Sequence, residues 1–292
     1  MLRSPTSPGE CMKVSVDGVS INYHDAGTGE PVILLHGSGP GVSAAENWSR
    51  TLDVLADRGF RAIAPDVVGF GDSDRPEGFQ YDARGWAESI RGFMSALDLG
   101  SAHLVGNSMG GRIALTLAGA TPHLVRSLTL MGVRAPSVPP AAGLGKVRGY
   151  EPSLENMRSL LTDYFVVDPA VVTDEVVTRR YEASTRPGEH EHYRRMFSYP
   201  GANDLPLSDD DLRSLAVRTL IVHGREDKVI PVDHTYAMAA LIPDVVSVVV
   251  SGCGHWVQVE QADMFESQLT AFLRGYGDAG ESARARQSAG TV

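Results

Sequence analysis

The sequence has little cysteine: Cys11 and Cys253 are the two it carries, too few for a disulfide framework. It has no apolar run long enough to span a bilayer, and its first residues, MLRSPTSPGECM, lack the apolar middle of a secretory signal. Lysine and arginine form no run, and 26 basic against 36 acidic residues leave a net charge of −10. Nucleic-acid binders are more often basic, so that class is set aside. No internal repeat is visible. A cytoplasmic location is expected, with neither nucleic acid nor membrane as partner. What the 292 residues do hold is 42% apolar content, enough for a large α/β domain with an insertion or for two small domains.

Residues 1–11 read as a disordered leader. KVSVDGVSINYHDAG alternates polar and apolar around Asp17-Gly18, a hairpin signal. PVILLHG (31–37) is a continuous apolar run and so a buried strand. A helix is expected over Ala44–Asp57, a strand at FRAIAPD (60–66), and a helix over 82–98 with Trp86, Ile90, Phe93 and Leu97 on one face. A further strand follows at VRSLTLMG (125–132). The rhythm then breaks: residues 134–212 are rich in Pro, Gly and charge, with helical patches at LENMRSLLTDYF and VVTRRYEAS. It resumes at VRTLIVHG (217–224), with a helix near 232–241, the strand VVSVVVS (245–251) and a closing helix over 259–274. Two starting strands followed by βα units give a mostly parallel sheet covered on both faces. The expected division is a core of 12–133 and 213–276, a helical lid at 134–212, and a disordered tail at 277–292.

GNSMGG (106–111) stands between an apolar β-branched run, AHLVG, and a helix-patterned one. A G-x-S-x-G turn between strand and helix is a nucleophile elbow, with Ser108 raised where a substrate can reach it. Read alone, it is equally a serine helix cap with incidental glycines. The rest of a triad breaks the tie, because a serine nucleophile needs a base and an orienting carboxylate. His255, in SGCGHWV, follows the VVSVVVS strand. The acid comes from Glu226 or Asp227 in HGREDKVIP, and Asp227 stands where the turn should aim inward. The stretch after the preceding strand, LMGVRAP, has no carboxylate. The oxyanion donors should be the N–H of Met109 and one from HGSGPGVSAAENW. Pro40 has no N–H, which leaves Ser38 as the choice for the second.

HGSGPGVSAAENW, GNSMGG, GREDKVIP and CGHW together resemble the meta-cleavage product hydrolases of the α/β-hydrolase fold, over about Val14–Tyr276. The resemblance implies hydrolysis of a carbon–carbon bond in a vinylogous 1,5-diketone carrying a carboxylate, made by extradiol cleavage of an aromatic or steroid ring. It also implies a lid arginine that holds the substrate's 2-oxo-carboxylate end. Arg180 stands at that place, with Arg179 adjacent and open as the alternative. Asn47 and Asn107 would hydrogen-bond substrate oxygens, and Trp256 would pack beside His255. No metal and no organic cofactor is expected; the partners expected are a small-molecule substrate and further copies of the chain, in a dimer or higher.

Several members carry an aromatic two residues after the acid, where this chain has Val229, a position expected to border the pocket for the variable substituent. Tyr150, Met157, Leu160, Leu161, Phe165 and Tyr181 could line an apolar pocket or form the lid's own core. His190 and His192 read as lid surface, and His36 and His223 as structural residues at strand ends. The rival readings are a carboxylesterase with the same triad and a non-catalytic receptor on the same scaffold.

Overall fold

The hairpin signal closes as one. In the computed structural model, which describes residues 10–275, β1 (Glu10–Val16) pairs antiparallel with β2 (Val19–Ala26). The turn residues Asp17 and Gly18 have φ of 50° and 83°, the primed-turn geometry that an Asp-Gly pair supports. The strand begins at Glu10, so two residues assigned to the leader belong to the sheet. Cys11 pairs with His24, and its thiol donates to Asn22 Oδ1 at 3.1 Å. Ladder hydrogen bonds to β2, invisible in a short polar stretch, hold this end. Residues 1–9 of the leader and the tail at 277–292 lie outside the described residues.

Beyond the hairpin, strands and helices alternate: β3 (Glu30–Leu35), α1 (Ala44–Asp57), β4 (Phe60–Pro65), α2 (Ala83–Ala96), β5 (Ala102–Asn107), α3 (Met109–Ala120) and β6 (Val125–Met131). Ser43 caps α1 by accepting from the Glu46 N–H, and Asp82 caps α2 by accepting from Arg84 and Gly85. These bonds satisfy donors that a helix start leaves unpaired. Five helices then intervene: α4 (Ala142–Arg148), α5 (Leu154–Leu160), α6 (Asp174–Ser184), α7 (Glu189–Phe197) and α8 (Asp209–Arg213). The alternation returns with β7 (Thr219–Gly224), α9 (Asp233–Leu241), β8 (Val245–Val250), α10 (Val257–Glu260) and α11 (Ala262–Leu273).

The strands form one sheet in the order β1-β2-β4-β3-β5-β6-β7-β8, parallel from β4 to β8. Every residue of β5 and of β7 is buried, which is why both read as unbroken apolar runs rather than alternating ones. One face packs against α2 and α3 through Trp86, Ile90, Phe93 and Ile113. The other packs against α1 and α11 through Trp48, Leu52, Phe265 and Leu269. A third cluster belongs to the helices between β6 and β7. Tyr150, Met157, Leu160, Leu161 and Phe165 are buried together there, with Tyr181 against them, over Val229 and Trp256.

His192, read as surface, is buried in α7 and meets the Tyr81 ring edge-on at 5.3 Å. Burial, helped by the charges of Arg75 and Arg195, lowers its pKa to about 4, so the ring is neutral at pH 7. The sequence of α7, EHEHYRRMF, is charged enough to hide its one inward stripe of His192, Tyr193 and Met196.

Candidate active site

The elbow is built by close approach. Ser108 has φ 54° and ψ −113°, a region that costs a non-glycine residue on the order of 1–3 kcal/mol and that recurs at functional sites. Its N–H donates to Met131 O at 2.7 Å. A Cβ on Gly106 would lie 2.4 Å from the Gly110 carbonyl carbon, and one on Gly110 would lie 2.1 Å from Leu35 O. Both positions therefore exclude any side chain. Ser108 stands at the N-cap of α3 but makes no side-chain capping bond, so the helix-cap reading loses its basis.

Asp227 and His255 come from the loops after β7 and β8 and meet there, with His255 lining the same cavity as Ser108. His255 Nδ1 lies 2.7 Å from Asp227 Oδ2. The other carboxylate oxygen accepts the Val229 and Ile230 N–H groups, both at 2.8 Å. Burial alone would push the Asp227 pKa up. The His255 charge and hydrogen bonds from His223 and His255 overcome it, and the carboxyl is held well below the usual range. Glu226 turns away: its Oε2 accepts the Gly252 and Cys253 N–H groups and braces the loop that carries the histidine.

Three further contacts fix His255. Its own N–H donates to Phe165 O at 2.8 Å, the Phe165 ring meets the imidazole edge-on at 5.5 Å, and Asn107 Nδ2 donates to His255 O at 3.4 Å. Gly132, at the end of β6, has φ 57°, and a Cβ there would sit 2.6 Å from His255 Cε1. The missing carboxylate after β6 is thus matched by a missing side chain, and the imidazole occupies the space. His223, read as structural, does touch the acid: its Nε2 lies 3.1 Å from Asp227 Oδ2 and 2.8 Å from Ile230 O. The only hint in the sequence is its place four residues before Asp227.

A cavity of about 330 Å³ opens at the elbow, lined by Ser108 and His255 together with Asn47, Asn107, Arg180 and Trp256. Arg180 is 2% exposed. Its Nη2 donates to Pro40 O at 2.9 Å, and its guanidinium lies 5.3 Å from the Trp256 ring centre. Burial lowers its pKa, and Glu46 partly restores it. Arg179 points elsewhere and pairs with Glu46 and Glu175. Arg180 Nε and Asn47 Nδ2 are buried with no partner among the described residues. Buried donors left unpaired cost about 1–3 kcal/mol each, and an oxygen-rich anion in this cavity would satisfy them. Trp256 reaches His255 through Phe165, whose ring is 4.9 Å from the indole.

Ser38 and Ser108 also border a second cavity of about 390 Å³, which Met109, Gly132 and Ile230 share. Val229 lines the Arg180 side instead. The loop after β7 thus places the adjacent residues Val229 and Ile230 in different cavities. Of the apolar residues expected to line a pocket, Phe165 does so, while Leu144 and Val147 of α4 supply the rest of that wall. Among the described residues no three His, Cys, Asp or Glu side chains are grouped to hold a metal ion. Among the described residues no helix is long and apolar enough to cross a membrane.

Residues 30–150 and 178–262 match the family model described as alpha/beta hydrolase fold. The chain is 44% identical to a 2-hydroxy-6-oxo-2,4-heptadienoate hydrolase of Pseudomonas putida, over 89% of this chain and 95% of the relative. It is 36% identical to a 2-hydroxy-6-oxo-6-phenylhexa-2,4-dienoate hydrolase of Burkholderia cepacia, over 87% of this chain and 91% of the relative. A solved meta-cleavage product hydrolase from Pseudomonas fluorescens IP01 superposes with a TM-score of 0.86 at 44% identity, covering 91% of this chain and 98% of its own.

Proposed function

The chain belongs to the meta-cleavage product hydrolases of the α/β-hydrolase fold family, and from that premise we propose that it uses Ser108, Asp227 and His255 to hydrolyse a carbon–carbon bond in a 2-hydroxy-6-oxo-hexa-2,4-dienoate. The observation that carries this reading is the shared cavity. Its lining brings together a serine, a carboxylate-paired histidine and a buried guanidinium. An ester needs no such cation, which is why the carboxylesterase reading is the weaker one.

Arg180 anchors the carboxylate through its planar fork, with Asn47 and Asn107 on the neighbouring oxygens. Asp227 holds the Nδ1–H tautomer of His255, so that Nε2 handles protons. The imidazole takes the proton of the 2-hydroxyl and returns one to C5, which makes C5 a carbon that can leave. Ser108 Oγ then passes its proton to His255 Nε2 and adds to the C6 carbonyl, the oxyanion rests on the N–H groups of Ser38 and Met109, and the imidazolium gives that proton to the 2-oxygen as the dienolate leaves. The C5–C6 bond breaks with its electron pair on C5, giving 2-hydroxypentadienoate and an acyl-serine. Water frees the second product, a carboxylate built from C6 and its substituent. Residues 134–212 act as a lid that keeps bulk water from these steps. The same reading places the enzyme in the cytoplasm as a dimer or higher, which light scattering checks.

Purified protein without added metal should bleach the yellow dienolate of at least one ring-cleavage product. The expected kcat/KM is above about 10⁴ M⁻¹s⁻¹, the lower end of ordinary enzyme efficiency, and above that for any p-nitrophenyl ester. Esters outperforming every dienolate would replace this reading with a carboxylesterase.

Arg180→Gln should lower kcat/KM for the dienoate by roughly 10- to 100-fold, the loss of one charge-assisted interaction, and spare p-nitrophenyl acetate. An equal loss on both substrates would make Arg180 a structural residue.

A further inference from the structure

The second cavity carries a charge pattern that the reaction does not use. It shares Ser38, Ser108 and Leu144 with the Arg180 cavity but lies on the Met109 and Gly132 side of the elbow. Three arginines border it: Arg112 from α3, Arg134 from the loop after β6, and Arg148 from the end of α4. No carboxylate side chain borders it, and none of the three arginines forms a salt bridge among the described residues. This concentration of positive charge stands in a chain whose net charge is −10.

The three cations face one another. Burial and the charges of Arg148 and Arg134 lower the Arg112 pKa to about 10, against weak attraction from Asp82 and Asp204. Burial, then Arg134, lowers that of Arg148, and burial lowers that of Arg134. All stay cationic at neutral pH. The Nε of each is buried without a hydrogen-bond partner among the described residues. Part of the cluster is braced: Arg112 donates to the carbonyls of Ala202 and Asp204, and Arg134 to that of Asn203. Arg148 lies over the Phe197 ring at 5.6 Å. Packing like charges around a cavity is unfavourable unless an anion completes it.

Position says which part of the substrate that anion belongs to. With C6 on Ser108 and the carboxylate end on Arg180, the substituent of C6 continues to the far side of the elbow. We propose that Arg112, Arg134 and Arg148 form a subsite for an anionic C6 substituent, so that the preferred substrate is a dicarboxylate with one carboxylate in each cavity. The inference rests on the hydrolase reading and names its substrate class. The acid released from C6 is then itself a dicarboxylate, and the reaction upstream must open a ring that bears a carboxylate-ended side chain.

The test uses three 2-hydroxy-6-oxo-dienoates whose C6 substituent is methyl, 2-carboxyethyl or the uncharged 2-carbamoylethyl. Wild-type protein should favour carboxyethyl over carbamoylethyl in kcat/KM by about 10- to 100-fold, the discrimination of one or two charge-assisted bonds. In Arg148→Met that ratio should fall at least about tenfold. A wild-type ratio near one, or a ratio unchanged in Arg148→Met, overturns the subsite while methyl-substrate turnover upholds the hydrolase. Loss of colour from none of the three overturns the hydrolase reading itself. Inhibition supplies a reading on wild-type protein alone. Butanedioate should compete at least about tenfold better than butanoate, and equal inhibition overturns the proposal.

Discussion

Ser108→Ala is expected to lose about 10³- to 10⁶-fold in carbon–carbon cleavage, the range seen when a triad nucleophile is removed. Its fold should be intact. The hydroxyl caps no helix, and the strained backbone is held by the Ser108 N–H bond to Met131 O, which alanine keeps. Melting should therefore stay within the roughly ±0.5 kcal/mol of a neutral substitution. The proposed sequence of steps adds a sharper expectation. Proton movement to C5 belongs to His255, so stopped-flow absorbance should show the dienolate signal decaying to the ketone while 2-hydroxypentadienoate fails to form. Product forming at the wild-type rate would remove Ser108 from the chemistry.

His255→Ala should slow both phases, each by about 10²- to 10⁴-fold, the contribution of a positioned general acid–base. The variant should remain folded, because Asp227 keeps the Val229 and Ile230 N–H groups and His223 as partners. Loss of one phase alone would show that a different group moves the other proton. The acid limb of the wild-type pH profile follows from the same geometry. Asp227 is held ionised to below the usual carboxylate range, so its carboxylate persists as the pH drops through 5 and 4. Activity lost in that interval belongs to another group, and Asp227→Asn should not abolish that limb.

The sheet and its flanking helices were legible because each local signal agreed with the others. Apolar runs in β3, β5 and β7, the Asp-Gly turn and the capped starts of α1 and α2 all pointed to one alternation. The proposed triad could be picked out because its three residues follow strand ends in a fixed order, and the structure brings Asp227 and His255 into contact. Legibility failed where neighbours compete at one position or where segments distant in sequence meet. Asp227 and Glu226 differ in the turn only by which carboxylate finds His255 and which finds the 252–253 backbone. Arg179 and Arg180 differ by about 100° on one helix, and Glu46, on another helix, claims the first. Arg112, Arg134 and Arg148 lie in three separate segments, and no single window of sequence shows them as a cluster.

One consequence of the strand order concerns biosynthesis. With the helices inserted between β6 and β7 included, about 150 residues separate Ser108 from His255. At synthesis rates of about 5–20 residues per second, the serine is made on the order of 10 s before its base exists. In that interval the elbow lacks the imidazole that the proposed mechanism assigns to take the hydroxyl proton. Among the described residues β8 pairs with β7 alone, and the loop after it carries the histidine. A ribosome that stalls before that loop releases a chain that has the elbow serine but lacks His255, the base the proposed mechanism requires.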